Sequence, residues 1–494
     1  FLEQLKDQKQ EELKKVEDEI AMIESDLDRV TELARSKSSQ HHPAPSSSSS
    51  SSSSSNPFGG RGDSDGEDDY GSPFDASSSS RSKRRDRADH PEGGGGFGDD
   101  GASSARSQRD MIRAKRHKVL PHMQHLKDSY FNAKNAGHSS TSALGGDSEG
   151  DLINISQQLT TLSRFTGVES LATFRYGASA ARQSYAGGQI SNAVTCIRFR
   201  RDDEYVSIAG LAEQIQIFPY LTFLQHGEYS SSLTPIQTLH AGEKIHSTCW
   251  DPTQMSHAAA AGASGTISVW DVSACKVTHA YSEHKSRAWS VDYSPLQKQL
   301  FASASDDHTV RFWHYTQKES TLRIMLPDVA SCVKFNPVLD NLVAVSCSDN
   351  DIYYYDIREP SQPVTKLLGH QHSVTKIAWL ARNELASQSF DETLKVWNID
   401  KSTSPIRSFR GHQQKKRFTG FAATHGHLAT GSEDNSLYIY STQSSQPLFQ
   451  HTFNTTLAED DHGAFVSAAC WKQNVDVVIA GNSNGIVQVL GLTK

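Results

Sequence analysis

The chain has 494 residues, a formal net charge of -8 and 36% hydrophobic residues. At ~100 to 200 residues per domain this length accommodates two to four domains, while the apolar share lies below the ~45–50% of an average globular chain, so part of it is not packed. The mild acidity argues against wholesale nucleic-acid binding, and the longest apolar run, around residues 475–480, is strand-sized against the ~18 residues of a membrane span, which predicts a soluble protein with no membrane partner.

Phe1 in place of Met, with no leader pattern behind it, points to the remainder of a longer chain. From there Leu13, Val16, Ile20, Ile23, Leu27, Val30 and Ala34 alternate steps of three and four, which predicts a coiled-coil seam within residues 1–38. Its flanks carry Glu12, Glu17, Glu19, Glu24 and Asp26, so a parallel self-pair would oppose carboxylates. Either a partner helix with basic flanks or an offset pairing through Lys6, Lys9, Lys14 and Lys15 avoids that repulsion. Residues 39–105 contain ten consecutive serines at 46–55, glycine runs and segregated charges, too little apolar material to offset ordering entropy, and are expected to be a disordered linker. The basic clusters at Arg81, Lys83, Arg84, Arg85 and Arg87, and at Arg113, Lys115, Arg116 and Lys118, read either as an import signal or as solvated charge. Residues 106–190 are expected to be a basic linker with short helices, one of them amphipathic through Leu152, Ile155, Leu159 and Leu162.

After residue 190 short Val, Ile, Thr and aromatic runs alternate with Gly, Asp and Ser turns. A repeat is anchored at Phe218, Trp270, Trp313, Tyr355, Trp397, Tyr440 and Leu490, with spacings of 52, 43, 42, 42, 43 and 50 residues. That is the ~40–45 residue period of WD repeats, and it predicts an all-β, seven-bladed propeller over residues 191–494. Asp307, Asp349, Asp391 and Asp434 each stand six positions before their anchor. His284, Ser290, Asp307 and Trp313, and likewise His370, Ser373, Asp391 and Trp397, are candidates for a buried hydrogen-bond relay in their blades; recurrence at the blade period speaks for structure over a hydrolase triad. Blades one, two and seven carry Ala212, Ser264 and Asn484 at the Asp position and must be held by closure and packing.

All six cysteines lie beyond residue 190 and no two are within four residues, which excludes a CxxC zinc site and favours buried free thiols. No phosphate loop, HExxH or paired-carboxylate motif accompanies the repeat, so the ring reads as a binding platform without catalytic residues. Lys244, Arg287, Trp289 and Phe418, in the loop and first-strand regions of their blades, suit an extended peptide carrying acids and a small apolar anchor.

The stretches SNAVTCIRFRRDDEYVSIAG, HKSRAWSVDYS, SCSDNDIYYYDIREPSQP, ELASQSFDETLKVWNI and SFRGHQQKKRFTGF make this sequence resemble the constitutive photomorphogenic ubiquitin-protein ligases of plants and animals. The resemblance implies a RING, coiled-coil and propeller protein of nucleus and cytoplasm that marks transcription factors for degradation in light signalling. Zinc would belong to a RING that this chain lacks, so no cofactor is expected here. The propeller would grip Val-Pro motifs preceded by acids, in transcription factors and photoreceptors, with Lys244 and Arg287 meeting the acids and Trp289 and Phe418 the Val-Pro pair. Ala263 stands where a groove Tyr is expected, His372 where a Lys is expected and Lys415 where a Glu is expected; His372 would still join the peptide contacts. Tyr355, Asp356 and Arg358 match a WDxR box, which implies either docking on the damaged-DNA-binding adaptor of cullin-4 ligases or a braced turn. The coiled coil would join the chain to itself or to suppressor-of-phytochrome partners. A non-catalytic regulator of that second kind, or a general WD scaffold, is the alternative reading.

Overall fold

The computed structural model describes residues 14, 20–32, 113, 120–123, 126–127, 130–131, 159–160, 164–177, 192–225, 233–415, 417–453, 463–473 and 476–493. Two compact units divide the chain, Phe1–Gly93 and Gly94–Lys494. In the first, residues 20–32 are helical, and Ile20, Ile23, Leu27 and Val30 are all exposed. What the structure holds is therefore one helix with an uncovered apolar stripe, not a paired coiled coil. Leu13, Val16 and Ala34, the 39–105 linker and its basic cluster lie outside the described residues.

The second unit contains seven four-stranded antiparallel sheets. We name the strands of each blade a to d from the axis outward. Blade three shows the pattern, with a at Ala288–Tyr293, b at Leu300–Ser305, c at Thr309–His314 and d at Leu322–Met325. Its b strand alternates two sets of residues: Phe301 faces blade two, whereas Ala302 and Ala304 face blade four. A strand covered on both faces must be apolar or small at every position, which is why LFASAS carries no charge. Each of seven apolar clusters joins one pair of neighbouring blades, and the cluster of Val194, Ile208, Phe218, Ile479 and Val487 joins the last blade to the first. The ring is thus closed by the same packing that builds it.

Closure also uses a strand from upstream of the repeat. Gly167–Arg175 pairs antiparallel with Ile486–Thr493, Gly167 opposite Thr493 and Arg175 opposite Ile486, and supplies the outer strand of blade seven. The expected propeller boundary at 191 is therefore corrected, because part of the presumed 106–190 linker is blade. Phe174 packs with its ring 5.1 Å from Phe218 and 5.4 Å from Phe223, the latter on a short helix Tyr220–Gln225. Further upstream, His122 is buried with its Nδ1 2.8 Å from Ser444 Oγ at blade six. Of the expected amphipathic helix, Leu159 is helical, while Leu152, Ile155 and Leu162 lie outside the described residues. No described helix is long and apolar enough to cross a membrane.

Candidate functional site

The seven a strands, Val194–Phe199, Ile245–Trp250, Ala288–Tyr293, Ala330–Phe335, Val374–Trp379, Phe421–Thr424 and Val466–Trp471, surround an axial channel. In six of them the register against strand b slips at the second residue, leaving Thr195, His246, Trp289, Ser331, Thr375 and Ser467 as the extra residue of a β-bulge. A bulge re-aims a side chain that the pleat would otherwise send into a neighbouring sheet. Here all six bulged residues line or approach one mouth of the channel.

Two of these are aromatic rings, and they organise the mouth. Trp289 of blade three stacks on Phe418 of blade six, centroids 4.7 Å apart and planes 27° apart, so the pair reaches across the ring. The His246 ring lies 4.5 Å from Trp289, and Phe390 of blade five meets Phe418 edge-on at 5.3 Å. Arg287 sits over the indole at 5.1 Å while its Nε donates to Asp306 at 2.9 Å, and the same carboxylate accepts the Trp289 Nε1 hydrogen at 2.5 Å. One acid therefore fixes both the cation and the ring, although the Arg287 side chain remains 57% exposed. Burial, with the Arg287 charge adding to it, holds His246 down at about 4, so its ring is neutral near pH 7.

Of the sequence candidates, Trp289, Phe418 and Arg287 are brought together, and Lys244 lies exposed two residues from His246. Ala263 is beside Lys244, its amide donating to the Lys244 carbonyl at 2.9 Å. His372 is exposed, and its carbonyl accepts Ser389 Oγ at 2.7 Å. Lys415 Nζ lies 3.3 Å from Glu392. His246, Phe390 and Asp306 were missed. Phe390 and Asp306 share the first position of a b–c turn, directly before the repeat Asp, and that shared position was the available signal.

The polar relays use other serines than expected. His284 Nδ1 is 2.9 Å from Asp307, its Nε2 is 2.7 Å from Ser303 Oγ, and Trp313 Nε1 donates to Ser303 at 2.8 Å. In blade five the same set is His370, Asp391, Ser387 and Trp397, at 2.8, 2.7 and 2.8 Å. Ser290 instead approaches Cys332 Sγ at 3.6 Å, and Ser373 donates to the Ser348 carbonyl of blade four at 2.9 Å. The correction has a geometric cause. Strand b carries the serine whose side chain points between the His and Trp rings, whereas Ser290 and Ser373 stand on or before strand a. Burial raises the Asp307 pKa, but hydrogen bonds from Thr309, His284 and the Lys285 amide outweigh it and leave the carboxyl at about 2. In blades four and six a tyrosine meets the Asp instead, Tyr353 OH donating to Asp349 at 2.5 Å and Tyr438 OH to Asp434 at 2.7 Å, while the His412 of blade six stays buried with its Nδ1 3.3 Å from Tyr440 OH.

On the outer part of blade four, Arg358 grips Asp356 through Nε at 3.0 Å and Nη2 at 2.6 Å, and its own amide donates to the same carboxylate. Its side chain is 68% exposed. Tyr355, by contrast, is buried between blades three and four and cannot reach a partner, which removes it from the adaptor-facing set. Cys196, Cys332, Cys347 and Cys470 are buried free thiols, and Cys275 is exposed. Among the described residues no His, Cys, Asp or Glu cluster could hold a metal.

Comparison with known proteins agrees with this architecture. The WD domain, G-beta repeat family model matches residues 275–314, 361–398 and 403–441. E3 ubiquitin-protein ligase COP1 of Arabidopsis thaliana is 30% identical over 365 residues, 73% of this chain and 52% of that protein. The chain is a WD40 propeller homologous to the COP1 and SPA proteins. Protein SUPPRESSOR OF PHYA-105 1 of Arabidopsis is 28% identical over 382 residues, covering 74% of the chain and 36% of that relative. COP1 of Pisum sativum is 29% identical, with 75% and 53% covered. The chain thus spans about half the length of its COP1 relatives.

Proposed function

We propose that this chain is the substrate-recognition portion of a ubiquitin-ligase assembly, and that its propeller captures acidic peptides with a Val-Pro anchor from transcription regulators. The observation that carries the reading is the Trp289–Phe418 stack spanning the channel mouth, with the exposed Arg287 guanidinium locked over it by Asp306. An apolar floor with a positioned cation beside it favours a short apolar pair preceded by carboxylates, and Lys244 extends the basic rim. Because Ala263 offers no ring and Lys415 adds a positive charge, electrostatics carries a larger share of the affinity here, and peptides with more acids before Val-Pro bind more tightly. The proposal extends to a role in light signalling in nucleus and cytoplasm, to self-association or pairing with SPA-type helices through the exposed Ile20 to Val30 stripe, and to adaptor docking at Asp356 and the exposed Arg358. The comparable match to SUPPRESSOR OF PHYA-105 1 supports a second reading, a non-catalytic regulator of the same ligase.

Calorimetry with an acidic Val-Pro peptide tests the site. Trp289→Ala is expected to lose about 2 kcal/mol, roughly thirtyfold in Kd, as expected for an aromatic at the centre of an interface. Arg287→Gln should weaken binding with a loss that shrinks as salt rises. Equal affinity for peptides with and without the acids, or an unaffected Trp289→Ala variant, would overturn the assignment.

A further inference from the structure

The channel holds a cavity of about 540 Å³, bordered by Trp289 and Phe418, whose charged lining residues are Arg198, Lys334, Lys376 and Arg417, with no Asp or Glu among them. Lys334 is neutralised from behind by an ion pair with Asp292, which also accepts the Phe335 amide at 3.0 Å. Arg198 and Lys376, on the a strands of blades one and five, have no carboxylate partner among the described residues, and Arg198 Nε is shielded with no hydrogen-bond partner. Neither cation is ion-paired among the described residues, although the Asp292 charge also acts on Arg198, and side by side in one cavity each loses hydration and repels the other. Burial, and then the nearby charges of Arg198 and Lys334, push Lys376 below the ordinary lysine range.

We propose that this cavity is a binding site for a small dianionic oxyanion of the phosphate class, held by Arg198 and Lys376. Asp292 cancels Lys334, and the exposed Arg417 is turned to the Gly463 carbonyl and the Phe465 ring, which leaves the two charges of Arg198 and Lys376 to match a dianion. The planar guanidinium can offer two parallel N–H groups to two oxygens while the ammonium takes a third. A phosphorylated peptide is the less suitable source, because Trp289 and Phe418 stack across the mouth on the side where a peptide would enter. The site would tie blade one to blade five across the axis, a link that no strand pairing supplies.

The test is thermal unfolding of the full chain in chloride buffer against a titration of inorganic phosphate at constant ionic strength. The wild type should show a saturable rise in Tm. Lys376→Met and Arg198→Gln should each raise the apparent dissociation constant at least tenfold, and Lys376→Met should be no less stable than wild type without phosphate, because repulsion is relieved. Should Arg198→Gln fail to fold, Lys376→Met alone decides. A wild-type shift no larger than chloride produces, or an undiminished shift in Lys376→Met, overturns the proposal, as does a Lys376-dependent response to a phosphoserine peptide with none to free phosphate.

Discussion

Ser303 Oγ receives the indole hydrogen of Trp313 at 2.8 Å and lies 2.7 Å from His284 Nε2, with Asp307 on the other ring nitrogen at 2.9 Å. Burial lowers the His284 pKa further than Asp307 raises it, so the ring is neutral near pH 7, with its hydrogen on Nδ1 facing the carboxylate and Nε2 accepting from Ser303. One hydroxyl therefore satisfies two buried rings. Ser303→Ala strands both, at ~1–3 kcal/mol each, and is expected to destabilise the propeller by about 2–6 kcal/mol in urea unfolding. Ser290→Ala removes only long contacts to Cys332 Sγ and the Val333 amide and should stay within about 1 kcal/mol. Equal effects of the two substitutions would refute this account of the relay. The sequence carried the histidine, aspartate and tryptophan of this set at similar spacing, but several serines were available per blade, and choosing among them requires knowing which strand faces the ring.

Every b–c turn places a left-handed residue directly after the Asp position: Glu213, Gly265, His308, Asn350, Glu392, Asn435 and Gly485, with φ between 57° and 89°. Gly and Asn accept that conformation readily, whereas a β-carbon on other residues crowds the carbonyl at a cost of roughly 1–2 kcal/mol. His308 is the informative case, since it is exposed and sits at φ 62°. Relief of strain exceeds the added chain entropy of glycine there, so His308→Gly should stabilise the chain by a few tenths to about 1 kcal/mol. His308→Ala, which keeps the β-carbon, should be close to neutral; a gain equal to that of glycine would show that the histidine ring, not the backbone, is strained. Blade period and turn composition are local signals and were readable from the anchors. The bulge that turns Trp289 into the channel is not, because it depends on strand register, and Phe390 acquires its place only when blade five stands beside blade six.

At the scale of the whole ring, each blade is stabilised by two interfaces, and the seventh and first blades have their full set only because Gly167–Arg175 returns to pair with Ile486–Thr493. Nothing in GVESLATFR announces this role: its partner is more than 300 residues away, it lacks the anchor of a c strand, and its bulge between Ser170 and Ala172 breaks the alternation. A repeat count starting at residue 191 therefore finds seven anchors yet leaves the last blade one strand short. The missing strand brings more than hydrogen bonds, since Phe174 and Tyr176 are buried against the first blade and Tyr176 OH donates to the Gln214 carbonyl at 2.5 Å. Removing two such aromatics forfeits about 2–3 kcal/mol of burial each and uncovers the edge of Ile486–Thr493, an apolar template for association with another copy. A chain beginning at residue 191 is accordingly expected to lose about 5 kcal/mol or more relative to one beginning at 160, and to aggregate on heating. Comparing the two by urea unfolding and light scattering checks this; indistinguishable stability would mean that packing between blades, without the returning strand, is sufficient to close the ring.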